Sequence, residues 1–196
     1  WAPMGTGLGG AVNTLVPLPN GHVVAGGVFT SVGLLPALRV AYWNGLGWLP
    51  VGSGFNGEVR SLALAPNGDL IAGGLFTAAG AVPALRVARW DGLAWSALGA
   101  GTDSPVEEVT ALANGDLVVS GLFTAAGGAP AAGIARWSAN AWSPLGGGVA
   151  GLVRSMAQLP NGDLVIGGGQ PTTGPGVNVA RWDGAMWKTA CESRTV

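Results

Sequence analysis

Short apolar runs, broken by Gly, Pro, Asn and Asp, follow one another along the whole chain, and no stretch shows a helical spacing. Residues 59–64 alternate in part and read as a strand. Pro66-Asn67-Gly68-Asp69 then marks a turn, expected to be type I′ because Asn-Gly tolerates positive φ. Residues 70–76 read as a buried strand whose paired glycines suit close backbone approach near a crowded axis. Residues 77–83 read as loop, 85–90 as a third strand, Asp91-Gly92 as a second tight turn, and 95–98 as a short fourth strand.

This pattern recurs. Trp1, Trp48, Trp95 and Trp142 are spaced by 47 residues, Trp187 follows after 45, and Asn20, Asn67, Asn114 and Asn161 keep the same 47-residue step. A period of this length with hairpin turns is that of a stacked or radial repeat. Four antiparallel strands in about 47 residues make the blade of a β-propeller. The expected fold is therefore all-β, with β-propeller-type blades in four repeats. The expected organisation is one repeat domain over 1–196, with units near 1–47, 48–94, 95–141 and 142–187 and a tail at 188–196. A parallel β-solenoid has shorter coils and lacks a pair of tight hairpins in every unit.

Composition narrows the function classes. Nine basic and ten acidic side chains are scattered singly, for a net charge of −1, so no basic patch exists to hold nucleic acid. Residues 1–38 carry no charged side chain, yet Gly, Pro and Asn interrupt them too often for a membrane span. Cys191 is the only cysteine, which rules out an intrachain disulfide. Low charge, a single lysine and 36 glycines favour an extracellular or cell-surface location.

Several motifs have a structural and a chemical reading. Gly5-x-Gly7-x-x-Gly10, Gly52-x-Gly54-x-x-Gly57 and Gly146-x-Gly148-x-x-Gly151 match a dinucleotide fingerprint, but none opens a helix, so they read as loops after each fourth strand. Asp69, Asp116 and Asp163 follow Asn-Gly and read as turn residues, since a calcium site needs six to eight converging oxygens. His22 fills the same slot in the first unit with no evident partner. Arg89, Arg136 and Arg181 precede a tryptophan and are expected to bridge to the nearby Asp91 and Asp183 or to stack on the indole. The pairs Trp43/Trp48, Trp90/Trp95, Trp137/Trp142 and Trp182/Trp187 stand five apart across a turn. Buried, they join blade to blade; exposed, they form sugar-stacking platforms. Glu107-Glu108 is the only adjacent acid pair, a thin basis for glycoside hydrolysis.

Taken together, Pro-Asn-Gly-Asp-Leu, Gly-Gly-x-Phe-Thr-x-Ala-Gly, Ala-Arg-Trp-Asp-Gly and Trp-Ser-x-Leu-Gly-x-Gly resemble the kelch-like propeller repeats of bacterial secreted or surface proteins. They are also similar to the blades of fungal cortical-marker surface proteins. The resemblance implies a propeller and a surface location. It carries over no catalytic residue, cofactor or metal site. The copper centre of kelch enzymes needs Tyr, His and Cys, which this chain holds once each and scattered, as Tyr42, His22 and Cys191.

The chain begins on Trp1 in mid-repeat, which gives an expectation of a processed product or a piece of something longer, while the drifting last unit reads as a natural end. Five fourth-strand candidates for four blades leave the segment of Trp1 and Met4 over. The expected function is a non-enzymatic extracellular scaffold that self-assembles into a ring or filament by exchange of that terminal strand. A carbohydrate- or protein-binding lectin-like module is the alternative, and a glycoside hydrolase the third. The expected partners are further copies of the chain, a glycan or a surface protein.

Overall fold

In the computed structural model, which describes residues 3–174, 176 and 178–189, every regular element is a β-strand. Sheet one comprises β1 (Val12–Pro17) and β2 (Val23–Gly27), then a small hairpin of β3 (Ser31–Val32) and β4 (Leu35–Pro36), then β5 (Val40–Trp43) and β6 (Trp48–Pro50). Sheet two repeats this with β7 (Val59–Leu64), β8 (Leu70–Gly74), the hairpin of β9 (Ala78–Ala79) and β10 (Val82–Pro83), β11 (Val87–Trp90) and β12 (Trp95–Ala97). Sheet three has β13 (Val106–Ala111), β14 (Leu117–Gly121), β15 (Ala125–Ala126), β16 (Ala129–Pro130), β17 (Ile134–Ser138) and β18 (Ala141–Pro144). The last unit differs at its start. There β19 (Val149–Ala150) pairs with β22 (Gln170–Pro171), around β20 (Ser155–Gln158) and β21 (Leu164–Gly167), and β23 (Val179–Trp182) and β24 (Trp187–Thr189) complete sheet four.

Each large sheet is a four-stranded antiparallel meander, ordered β1-β2-β5-β6 in the first and alike in the others. The fourth strand belongs with the three strands that precede it, so boundaries drawn at Trp48, Trp95 and Trp142 cut each sheet at its outermost strand. The chain is all-β and of β-propeller type, as its period predicts.

Two local expectations are corrected. The stretch 77–83 is not plain loop, because β9 and β10 pair there through Val82↔Ala79 and Pro83↔Ala78. With two residues per strand and a proline at the end, this hairpin carries no alternating apolar run and so leaves no periodic signal. Nor is the Asn-Gly turn type I′. Asn67 keeps negative φ and only Gly68 is left-handed, at +90°. The Gly68 amide bonds the Ala65 carbonyl and the Ala65 amide bonds the Asp69 carbonyl, the arrangement of a type I turn closed by a glycine bulge. Pro66 fits this turn, since its ring fixes a negative φ, but does not decide it: the same two bonds and a left-handed Gly115 recur in sheet three, where Ala113 takes the place of the proline. A left-handed pair does occur in sheet three, at Ala139 and Asn140, between the paired residues Ser138 and Ala141.

The first strands stand together, β1 against β7, β7 against β13 and β13 against β20. At the first junction Val59 and Leu62 of β7 lie over Gly26 of β2; at the second, Val106 and Val109 of β13 lie over Gly73 of β8. A β-carbon on Gly73 would stand 2.5 Å from Val109 Cγ2, so the first glycine of each pair is a socket for the next sheet, while the second, Gly27 or Gly74, lies against the backbone of its own sheet. Hydrogen bonds cross the same junctions: the Leu62 amide to Thr14 Oγ1 at 3.3 Å and the Val109 amide to Ser61 Oγ at 3.1 Å. Where the first strands end, Leu18, Leu64, Leu112 and Gln158 of the four sheets share one depression of about 730 Å³.

Candidate functional site

The polar residues of the repeat converge on one station, and its partners differ from those expected. Arg89 reaches Asp69 at 2.5 Å, Arg136 pairs with Asp116, and Arg181 reaches Asp163 at 3.4 Å. The arginine on the third strand therefore meets the aspartate of the Asn-Gly-Asp turn, not the aspartate that follows the tryptophan. Strand pairing explains this: Arg89 lies opposite Ile71, two residues beyond Asp69 on the neighbouring strand. Asp91 instead accepts the Leu93 and Ala94 amides of its own turn, at 2.9 and 2.8 Å, and Asp183 accepts Ala185 and Met186 likewise.

The first unit fills the station with different chemistry. His22 Nδ1 is hydrogen-bonded to the Tyr42 hydroxyl, and the rings meet edge to face at 5.2 Å. His22 thus has a partner, and two of the three residue types of a kelch copper centre stand together; Cys191 lies outside the described residues. Among those residues, no three His, Cys, Asp or Glu side chains come close enough to hold a metal ion.

Asn67 and Asn114 complete the stations by donating to the aspartates, each at 2.6 Å. Burial alone would raise the Asp116 carboxyl, but hydrogen bonds from Ser138, Arg136 and Asn114 outweigh it and hold the group below its ordinary range. Asp183 is held far below that range, first by Lys188 and then by the Met186 and Ala185 amides. Glu108 moves the other way, pushed up by burial against the opposing hydrogen bond of the Ser61 hydroxyl.

The tryptophans form the second feature. Within each pair the rings lie 5.6, 5.4, 5.1 and 5.3 Å apart, in order along the chain. The second indole of each pair donates to a carbonyl just after the preceding fourth strand: Trp95 to Val51 at 3.2 Å, Trp142 to Leu98 at 2.8 Å and Trp187 to Gly146 at 3.1 Å. Trp48 does the same to Met4 at 3.1 Å. Glycines with positive φ back onto the rings, as Gly52 does, where a β-carbon would stand 2.7 Å from Trp90. Trp95 and Trp187 are buried; Trp43, Trp48, Trp90, Trp137, Trp142 and Trp182 keep one partly exposed side. Met4 lies in no strand, and Trp1 lies outside the described residues.

Stations and tryptophans face each other across crevices between consecutive sheets. Tyr42, Leu18, Leu70 and Trp90 line one of about 360 Å³ between sheets one and two. Asp69, Arg89 and Trp137 line one of about 70 Å³ between sheets two and three, and Arg136, Asp163 and Trp182 one of about 220 Å³ between sheets three and four. Glu107 and Glu108 do not form a facing acid pair. Glu107 is the extra residue of a bulge in β13, and the two acids are engaged separately, Glu107 with Arg60 and Glu108 with Ser61.

The sequence matches no protein-family profile and no curated protein. Solved structures do resemble the fold. YCF48 bound to a D1 peptide aligns over 95% of this chain and 55% of its own, at 16% identity and a TM-score of 0.53. A gluconolactonase candidate aligns over 90% of this chain and 61% of its own, also at 16% identity and a TM-score of 0.53. Both are β-propellers, and the chain spans little more than half their length.

Proposed function

We propose that the chain is a non-catalytic, extracellular or cell-surface scaffold built of kelch-like repeats, which associates with further copies of itself. The observation that carries this reading is the repeated junction. The polar and aromatic residues that recur with the period are engaged in fastening turns and sheets: aspartate to arginine, indole to the previous unit's carbonyl, valine pair to glycine socket. A surface spent in this way serves assembly more than turnover. Sedimentation velocity across a wide concentration range tests it; particles larger than one chain are expected, and a monomer throughout would overturn the reading.

A second reading rests on the crevice of about 360 Å³ between sheets one and two, where Tyr42 and Trp90 offer aromatic surface beside Leu18 and Leu70. It suits a glycan or a protein side chain stacking on an aromatic wall. A glycan array with the native chain and with Trp90→Ala tests it, binding that survives the substitution speaking against this crevice.

A further inference from the structure

The three internal junctions show what each face of a sheet is shaped to receive, and among the described residues the two ends of the array leave one of each face open. On the leading face of a sheet, two apolar side chains of the first strand, or in sheet four of that strand and the segment leading into it, project toward the sheet before it. In sheets two, three and four these are Val59 with Leu62, Val106 with Val109, and Val153 with Met156, all at most 7% exposed. In sheet one they are Val12, 41% exposed, and Leu15, 60% exposed.

The trailing face is the complementary socket. In sheet two it comprises Ile71, Gly73 and Val87, which share a core with Val106 and Val109 of sheet three. In sheet four the same positions are Val165, Gly167 and Val179. Val179 is 49% exposed where Val40, Val87 and Ile134 are fully buried, and a β-carbon on Gly167 would meet nothing within 4 Å. The polar fastenings are in place as well. Ser155 holds the position from which Thr14 and Ser61 accept the next sheet's amide. Arg154 stands where Arg60 pairs with Glu107 across the second junction, and makes no ion pair among the described residues.

We infer that these two open faces are the halves of one joint, and that the trailing face of sheet four receives the leading face of sheet one from a second copy of this chain. Val12 and Leu15 of one copy seat over Gly167 and Val179 of the other, with the Leu15 amide on Ser155 Oγ and Arg154 beside Asn13. The occupant we assign is another copy because the two faces match position for position: Val12 and Leu15 hold the places of Val59 and Leu62, and Gly167 and Ser155 those of Gly26 and Thr14. Like the internal junctions it extends, the contact is head to tail, and it continues until a ring closes or a filament grows. This inference rests on the proposal above that the chain associates with itself, and supplies the surface.

Sedimentation velocity on the full chain tests it with two variants, a knob variant at exposed positions (Val12→Asp with Leu15→Asp) and a socket variant at a half-buried one with open space above it (Gly167→Leu). Both are expected to keep the native circular dichroism spectrum and to lose assembly. Mixed in equal amounts, they are expected to form a heterodimer and nothing larger, since one intact knob face and one intact socket face remain. Assembly that persists in either variant overturns this joint and leaves self-association standing. Variants that are monomeric alone and stay monomeric when mixed overturn the head-to-tail pairing. A native chain that is monomeric at every concentration overturns both proposals. A variant that fails to fold is replaced by Leu15→Ser or Val179→Ser, read in the same mixing experiment.

Discussion

Leu15 and Leu62 are the same residue at the same position of the repeat, one 60% exposed and the other 6%. The two strands have the same length, the same meander and the same bulge between their first and third residues. What differs is the neighbour: β7 has Gly26 beneath it, and β1 has no sheet before it among the described residues. The third junction lies between these extremes. Ser120 replaces the socket glycine there, and its hydroxyl is buried without a hydrogen-bond partner among the described residues. Glu108 takes the place of Thr14 and Ser61, and burial raises its carboxyl. One repeat thus produces two tight junctions, a compromised one and two open faces, and the grade follows from what each position meets.

The widest separation is expected at the leucines. Leu62→Ala empties a core site and costs about 2–5 kcal/mol, whereas Leu15→Ala in dilute protein costs under about 0.5 kcal/mol. Urea denaturation of both variants measures this, and equal losses would dissolve the distinction between covered and open faces. Next in size is the polar station. Asp116→Ala strands Arg136, Asn114 and Ser138 together, and a loss of about 1–3 kcal/mol in thermal unfolding is expected.

The third junction gives the opposite sign. Ser120→Ala keeps the β-carbon and removes the unpartnered hydroxyl, so stability should rise by about 1 kcal/mol. A fall would mean that the hydroxyl is satisfied in solution. The smallest effect is at Glu108 and depends on pH. A carboxyl raised on folding opposes the folded state as pH climbs through the interval between its unfolded and folded values, and has no effect below it. Glu108→Gln should therefore stabilise at neutral pH and be silent at acidic pH, read from paired denaturation curves. Asp116 runs the other way: its contribution is complete above the ordinary carboxylate range and disappears as pH falls through its depressed folded value.

Much of the architecture was legible in the sequence because turns and strand alternation are local. Asn-Gly, Asp-Gly and the 47-residue step located the hairpins, and the loop after β6 fell where Gly52-x-Gly54-x-x-Gly57 stands, whereas β19 is a strand inside Gly146-x-Gly148-x-x-Gly151. The partner of Arg89 was not legible. Asp91 is nearer along the chain, but Asp69 is nearer across the strand pair, and register decides contact. The station at His22 and Tyr42 was missed for the same reason, although its signal was present: both occupy the repeat positions of Asp69 and Arg89.

By itself the sequence determined the all-β repeat, its period and its punctuation, because each depends on residues a few places apart. Only the tertiary structure decided which apolar side chains are core and which lie open. Burial belongs to a residue's neighbours, and Val12 carries the same side chain as Val59 whether or not another sheet stands against it.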